Sequence, residues 1–311
     1  MAVTEIGIAN RRTRFGDFVE LTKPRITLMV LITTVVGFYL GSAGELKPST
    51  IYASFGHPDR VAVLVSRFLL LLNTILGTGL VAAGASALNQ YTERDLDSRM
   101  VRTRSRPLPD GRVLPMEALA FSLAISVTGV LYLTFFVNGL TGLLGALTLT
   151  AYIFVYTPLK TRTTLCTLIG AFPGAAPPLM GWTAARGEID AVALSIFSIL
   201  FLWQMPHFFA IAWVYTEDYA RGGFVVHSRG VNTGRQIILY CCVLIPVSLL
   251  PTLFGVTGTL YFLGAMVLGF IYLGYGFAVA LFRSNTHARR LLRISILYLP
   301  ALLILMMIDK V

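Results

Sequence analysis

"VTGVLYLTFFVNGLTGLLGALTLTAYIFVY", residues 127–156, holds thirty residues and no charged side chain. The apolar run around it spans 116–157, which as one helix would reach about 60 Å. "VNGL" at 137–140 supplies a tight turn, and each half then has about 20 residues, the length that crosses a hydrocarbon core of about 30 Å. The whole chain fits this reading. Of its 311 residues 56% are hydrophobic and 13% charged, with mean hydropathy +0.74, whereas a soluble domain carries about 25% charge. That composition excludes a water-soluble α/β enzyme. Runs this long also exclude a β-barrel, whose strands show short alternating segments.

Apolar helices are expected at 26–43, 61–88, 116–137, 140–157, 165–184, 191–214, 237–254, 259–281 and 292–308. The expectation is an all-α integral membrane protein, with nine transmembrane helices bundled around a central cavity. "GTGLVAAGAS" at 77–86 lies inside the second span, where small residues favour close helix packing over a nucleotide loop. Cys166, Cys241 and Cys242 sit in or beside apolar runs as small hydrophobes, with no metal-like spacing. "RRTRFGDFVE" at 11–20 is an amphipathic or loose segment rather than a signal peptide, and Glu5, Asp17 and Glu20 argue against a transit peptide.

Nine crossings put the termini on opposite sides. On the N-terminal side, the segments before 26, 89–115, 158–164, 215–236 and 282–291 carry 5, 6, 2, 3 and 3 Lys or Arg, 19 of the 25. The other side has Lys47, Arg60, Arg186 and Lys310. The positive-inside rule makes the N-terminus cytoplasmic. The net charge of +10 thus orients the chain in a membrane, and no nucleic-acid partner is expected.

Topology needs no acids, yet "ALNQYTERDLDSRMVRTRSRPLP" at 87–109 has three acids among five arginines. Asn89, Glu93 and Asp97 are spaced four and four, so on a helix they stack on one face. Two carboxylates there repel unless a hard cation such as Mg²⁺ joins them, together with phosphate and water. Asp95 falls on another face. Arg99, Arg102, Arg104 and Arg106 follow, and guanidinium forks grip phosphate or carboxylate. A metal–diphosphate would use both sets; a solvated charged loop would use neither.

The sixth span continues as "IFSILFLWQMPHFFAIAWVYTEDYARGG", 196–223. It carries Trp203, Gln204 and His207 at membrane depth, where polar groups face a cavity or the bundle interior. Glu217 and Asp218 follow. Asp218 is eleven residues past His207, three turns along one stripe, and is placed to hold a second cation. At the exit of the fourth span, "YTPLKTRT" at 156–163 sets Tyr156 and Lys160 four apart. Pro158 should disturb the helix there. Lys160 either meets the same anion or snorkels to headgroups.

These motifs resemble those of the membrane-embedded aromatic prenyltransferase superfamily. Its first signature, Asn-x-x-x-Asp-x-x-x-Asp, stands here as Asn89, Glu93 and Asp97, with Glu in the middle place. The continuation 93–109, "YTPLK" at 156–160, and "WQMPHFFAIAW" at 203–213 with "TEDY" at 216–219 look like the superfamily's haem branch. There His207 takes the place of the first acid of the second signature and Asp218 keeps the later one. The similarity runs from "TKPRIT" at 22–27 to the ninth span.

The resemblance implies one intramembrane domain at 26–311, with motif loops 89–115 and 215–236, after a cytoplasmic segment at 1–25. It implies transfer of farnesyl from farnesyl diphosphate to a vinyl group of haem b, with water addition, giving haem O and diphosphate. Mg²⁺ would be the cofactor, held by Asn89, Glu93 and Asp97, with Asp218 and Glu217 at a second ion. Arg102, Arg106 and Lys160 would clamp the diphosphate. His207 could ligate haem iron, position a propionate or diphosphate, handle a proton, or simply bond a neighbouring helix. Arg25, Arg67 and Arg229 are candidates for the propionates, and His227 for capping the site. The location implied is the inner (plasma) membrane, with a cytoplasm-facing site. Haem A synthase or terminal oxidase assembly proteins are the implied protein partners. The rivals are a prenyltransferase of quinone precursors, a transporter and a non-catalytic haem chaperone.

Overall fold

The computed structural model describes residues 13–311 except 43, 45, 47, 55, 227 and 228; His227 therefore lies outside the described residues. The elements are α1 (Arg14–Leu21), α2 (Pro24–Gly41), α3 (Pro48–Ser54), α4 (Pro58–Thr92), α5 (Arg94–Asp97), α6 (Pro115–Phe136) and α7 (Gly139–Thr150). A π-helical stretch Ala151–Tyr156 follows, then α8 (Thr157–Leu159), α9 (Cys166–Arg186), α10 (Ala191–Val214), α11 (Thr216–Arg221), α12 (Val231–Leu253), α13 (Thr259–Phe282) and α14 (Asn285–Ile308).

Proline opens α2, α4 and α6 at the first helical turn, where its missing N–H costs nothing and its φ is already helical. The expected turn at 137–140 is present. Asn138 caps α7 by accepting from Thr141 N–H at 2.8 Å, and donates to Thr183 O at 2.9 Å. Eight helices among the described residues are long and apolar enough to cross a membrane. The remaining expected span, 165–184, is the helix α9. It contains Pro173, Pro177 and Pro178 and is buried along most of its length, so it needs less apolar surface than helices facing lipid. The seventh and ninth expected spans begin earlier than their hydropathy suggested, at Val231 and Asn285.

The core gathers α2, α9, α10, α12, α13 and α14, with Trp182, Trp213, Tyr261 and Tyr272 at 2% exposure or less. Phe135, Phe154, Leu281 and Leu297 point outward instead, as a lipid-facing surface requires. Close crossings depend on glycine. A Cβ on Gly37 would lie 2.0 Å from Pro178 O, and one on Gly181 would lie 2.0 Å from Thr34 O. The α2 and α9 backbones therefore touch through a reciprocal glycine pair. Gly84 and Gly129 do the same between α4 and α6.

α4 is 35 residues long, about 52 Å, longer than a hydrocarbon core of about 30 Å is thick. The polar motif occupies its C-terminal end.

Gly37→Val should force α2 and α9 apart. Overpacking costs about 1–3 kcal/mol, so the detergent-solubilised variant should lose several degrees of Tm. Gly139→Ala, where a Cβ would meet nothing within 4 Å, should leave Tm unchanged.

Candidate active site

Asn89, Glu93 and Asp97 are 2%, 5% and 1% exposed. α4 ends at Thr92 and α5 begins at Arg94, with Glu93 at φ −98°, ψ 7° between them. The i to i+4 bonds nevertheless continue, Glu93 N–H to Asn89 O at 3.0 Å and Asp97 N–H to Glu93 O at 2.7 Å. Register survives the kink, and all three side chains line one cavity of about 220 Å³.

Each has a basic partner from a different place in the fold. Lys160 Nζ meets Glu93 Oε1 at 2.7 Å, Arg106 Nη1 meets Asp97 Oδ2 at 2.6 Å, and Lys23 Nζ donates to Asn89 Oδ1 at 2.9 Å. A buried carboxylate without a partner costs several kcal/mol, so the pairs are what permits two of them at this depth. Burial together with the nearby Arg106 and Lys160 charges pushes the Lys23 ammonium down to about 7. Burial also disfavours the Lys160 charge, but the oxygens of Tyr156 and Glu93 outweigh it and hold Lys160 above the ordinary lysine range.

Lys23 is the residue that motif spacing did not single out. It precedes Pro24 and adopts φ 48°, ψ 64°, a left-handed conformation costing a lysine about 1–2 kcal/mol. Such strain persists only where surroundings enforce it. Here α1 enforces it: Gln90 Nε2 donates to Leu21 O at 2.9 Å, and Arg112 pairs with Asp17 and Glu20. The signal available in sequence was a lysine directly before the proline that opens α2.

Lys160 is aimed by the π-helix. Pro158 has no N–H to donate. The amide and hydroxyl of Thr157 both bond Tyr152 O, the latter at 2.8 Å, and the wide turn swings Tyr152 and Tyr156 into the cavity. Lys160 Nζ lies 4.5 Å from the Tyr156 ring centroid, a cation–π contact. Asn89 Nδ2 reaches Thr157 Oγ1 at 3.4 Å, tying the motif to the same turn.

The second motif closes the mouth. Asp218 Oδ1 accepts from Val101 N–H at 2.9 Å, Oδ2 from Arg102 N–H at 3.3 Å, and Arg221 Nη2 donates to Oδ1 at 2.7 Å. The two loops expected to converge do converge. The Arg221 ion pair and these amides hold the Asp218 carboxyl below its usual range despite burial. Arg102 stands over the rings of Tyr215 and Tyr219, 5.7 and 5.9 Å away. Val225 N–H donates to Lys160 O at 2.7 Å, so the lid also holds the π-helix exit.

Two expectations are not met as stated. Glu217 has a 77% exposed side chain, 3.6 Å from Arg229, and does not line the cavity. His207 does not share a continuous stripe with Asp218, because α10 ends at Val214 and the chain turns through Tyr215 (φ −106°, ψ 24°) before α11. His207 instead bonds Ser295 of α14, Nδ1 to Oγ at 2.7 Å, while its neighbours Phe208 and Ile211 line the cavity. Of the propionate candidates, Arg67 donates to Ala185 O inside the bundle and Arg229 to Trp213 O.

The donor set suits a hard cation. Among the described residues no three His, Cys, Asp or Glu side chains converge as a closed cage; two carboxylates and an amide line the cavity, with Asp218 beside it. Mg²⁺ favours such partial sites, completing its octahedron with waters and substrate phosphate.

The profile of the UbiA prenyltransferase family matches residues 30–299. A protoheme IX farnesyltransferase of Solibacter usitatus is 46% identical over 298 residues, covering 94% of this chain and 98% of that protein. One of Koribacter versatilis is 38% identical over 321 residues, covering 100% and 97%. Among solved structures, a digeranylgeranylglyceryl phosphate synthase superposes with TM-score 0.76 at 14% identity, over 95% of this chain and 98% of that one. A UbiA homologue of Archaeoglobus fulgidus bound to GPP and Mg²⁺ gives 0.59 at 13%, over 93% and 99%. With full-length relatives, a shared helical bundle and two loops meeting over one buried acid site, this multi-pass membrane chain belongs to the UbiA prenyltransferase family.

Proposed function

We propose that this protein transfers the farnesyl group of farnesyl diphosphate to a vinyl group of haem b, with addition of water, yielding haem O and diphosphate. The observation that carries the chemistry is the set of three cations at the end of α4, two paired with carboxylates and one with an amide. Lys23, Arg106 and Lys160 come from three separate elements to one cavity, an arrangement suited to a polyanion that arrives with its own counter-ions. The relatives of Solibacter usitatus and Koribacter versatilis support haem as acceptor.

Mg²⁺ would be held by Asn89, Glu93 and Asp97, and bound there it neutralises charge developing on the leaving diphosphate. On substrate binding Lys160 and Arg106 leave their carboxylates and Lys23 leaves the Asn89 amide, and all three turn to phosphate oxygens. Arg221, whose side chain is 51% exposed, leaves Asp218 in the same exchange, freeing a carboxylate for a second ion. Arg102, on the strand of loop that Asp218 clamps, completes the grip. These donors act where negative charge grows as the allylic C–O bond breaks. The vinyl carbon then bonds farnesyl C1, water adds its oxygen to the carbon beside the porphyrin, and one proton is released. No enzyme nucleophile is required. Tyr152, Tyr156 and Phe208 line the cavity and keep stray water from the cation. The excess of Lys and Arg on the motif side supports a site that faces the cytoplasm.

Purified protein given farnesyl diphosphate, Mg²⁺ and haem b should yield farnesylated, hydrated haem by mass spectrometry; turnover of a hydroxybenzoate or naphthoate with no haem product would overturn the assignment. Asp97→Asn should lower kcat by at least about 10²–10³-fold, the scale of losing one transition-state charge contact, with an unchanged gel-filtration profile. Retained haem delivery by that variant would mark a chaperone. Lys23→Met removes a charged hydrogen bond of about 1.5–3 kcal/mol and should raise the KM for farnesyl diphosphate about tenfold or more, leaving haem affinity unchanged.

A further inference from the structure

The amide of Asn89 has two ends, and only one of them can take a hard cation. Mg²⁺ binds oxygen, whereas an amide nitrogen turns its hydrogens toward whatever it meets. Partners on both sides set which end is which. The Lys23 ammonium only donates, and its Nζ meets Asn89 Oδ1 at 2.9 Å. Nδ2 is thereby turned to Thr157 Oγ1, 3.4 Å away. An amide nitrogen only donates as well, so the threonine oxygen accepts and its own proton goes elsewhere. It goes to Tyr152 O at 2.8 Å, a carbonyl that only accepts. The relay thus starts at a pure donor and ends at a pure acceptor, and its directions are fixed throughout.

Lys23 cannot hold the amide throughout the reaction proposed above, because it turns to phosphate when the diphosphate arrives. Among the described residues the amide then keeps one side-chain partner, Thr157. We infer that Thr157 is a positioning residue: its hydroxyl keeps Asn89 Oδ1 toward the cavity once Lys23 has left, so that the cation meets oxygen and not the amide hydrogens. This rests on reading the site as one for a metal–diphosphate. Thr157 is suited to the task. It is 8% exposed, so little water competes for the amide nitrogen. Its own N–H and hydroxyl both bond Tyr152 O, which holds Oγ1 in one place. A valine there would have the same shape and no acceptor, leaving a buried amide nitrogen unpaired and the amide free to turn over. Groups that orient a metal ligand in this way tune affinity without touching the ion.

The test separates the metal from the diphosphate. Full-length protein in nanodiscs is given an unreactive thio analogue of farnesyl diphosphate and titrated with Mn²⁺, a paramagnetic stand-in for Mg²⁺ that EPR follows without turnover. Thr157→Val should weaken Mn²⁺ binding about three- to tenfold, the scale of one hydrogen bond. Thr157→Ala, which cannot overpack, should match it. Thr157→Ser keeps the hydroxyl and should stay within about twofold of wild type. In turnover, Thr157→Val should raise the apparent Mg²⁺ constant by the same factor, while KM for farnesyl diphosphate at saturating Mg²⁺ stays within about twofold, because Lys160 remains in place. Unchanged Mn²⁺ affinity in Thr157→Val, or an equal loss in Thr157→Ser, overturns the inference. So does a matching rise in KM for the diphosphate, which would assign the hydroxyl to holding the π-helical turn and Lys160 instead. Wild type that takes up no Mn²⁺ beside the analogue would overturn the metal–diphosphate reading itself, and the inference with it.

Discussion

Two carboxylates and an amide, each under 6% exposed, lie at the end of one helix in an otherwise apolar bundle, and the rest of the site is arranged around giving each of them a partner. Glu93 has Lys160, Asp97 has Arg106, and Asn89 has Lys23. None of these cations could be removed without stranding a buried charge or polar group. None is held by a covalent or coordinate bond either, and the proposed reaction has each traded for a metal ion while turning to the anion the metal brings. A site built this way is charged in both signs at rest.

Delivering three cations to one point draws on quite different parts of the chain. The left-handed turn at Lys23 is held because α1 is tied to α4 and to the loop by Gln90 and Arg112. Lys160 emerges just past a π-helical turn whose last bonds Thr157 makes to Tyr152 O. Arg106 sits in a loop whose backbone is pinned by Asp218 from the second half of the sequence. Glycine contacts between α2 and α9 and between α4 and α6 bring these elements close enough. Helix packing within the bundle and cation placement at the site are therefore one problem.

Much of this was legible in sequence. Charge-free runs of about 20 residues located the helices, and four-residue spacing located Asn89, Glu93 and Asp97. The convergence of 89–115 with 215–236 followed from acids that topology does not need. The span expected at 165–184 is α9, although its prolines and buried small residues make it less apolar than its lipid-facing neighbours. Helical phase misled at His207, since extrapolating a stripe across Tyr215 assumes a continuous helix and the chain turns there. Glu217 was expected to assist Asp218 but faces solvent, a distinction that one helical step decides and composition does not. Lys23 carried no periodic signal, because its position comes from a backbone conformation rather than from a helix face.

The exchange of partners is most directly tested by a structure of the protein with Mg²⁺ and an unreactive thio analogue of farnesyl diphosphate. The account predicts that Lys23 Nζ, Arg106 Nη1 and Lys160 Nζ are displaced onto phosphate oxygens while Glu93 and Asp97 face the metal. A bound analogue with all three original contacts intact would contradict it.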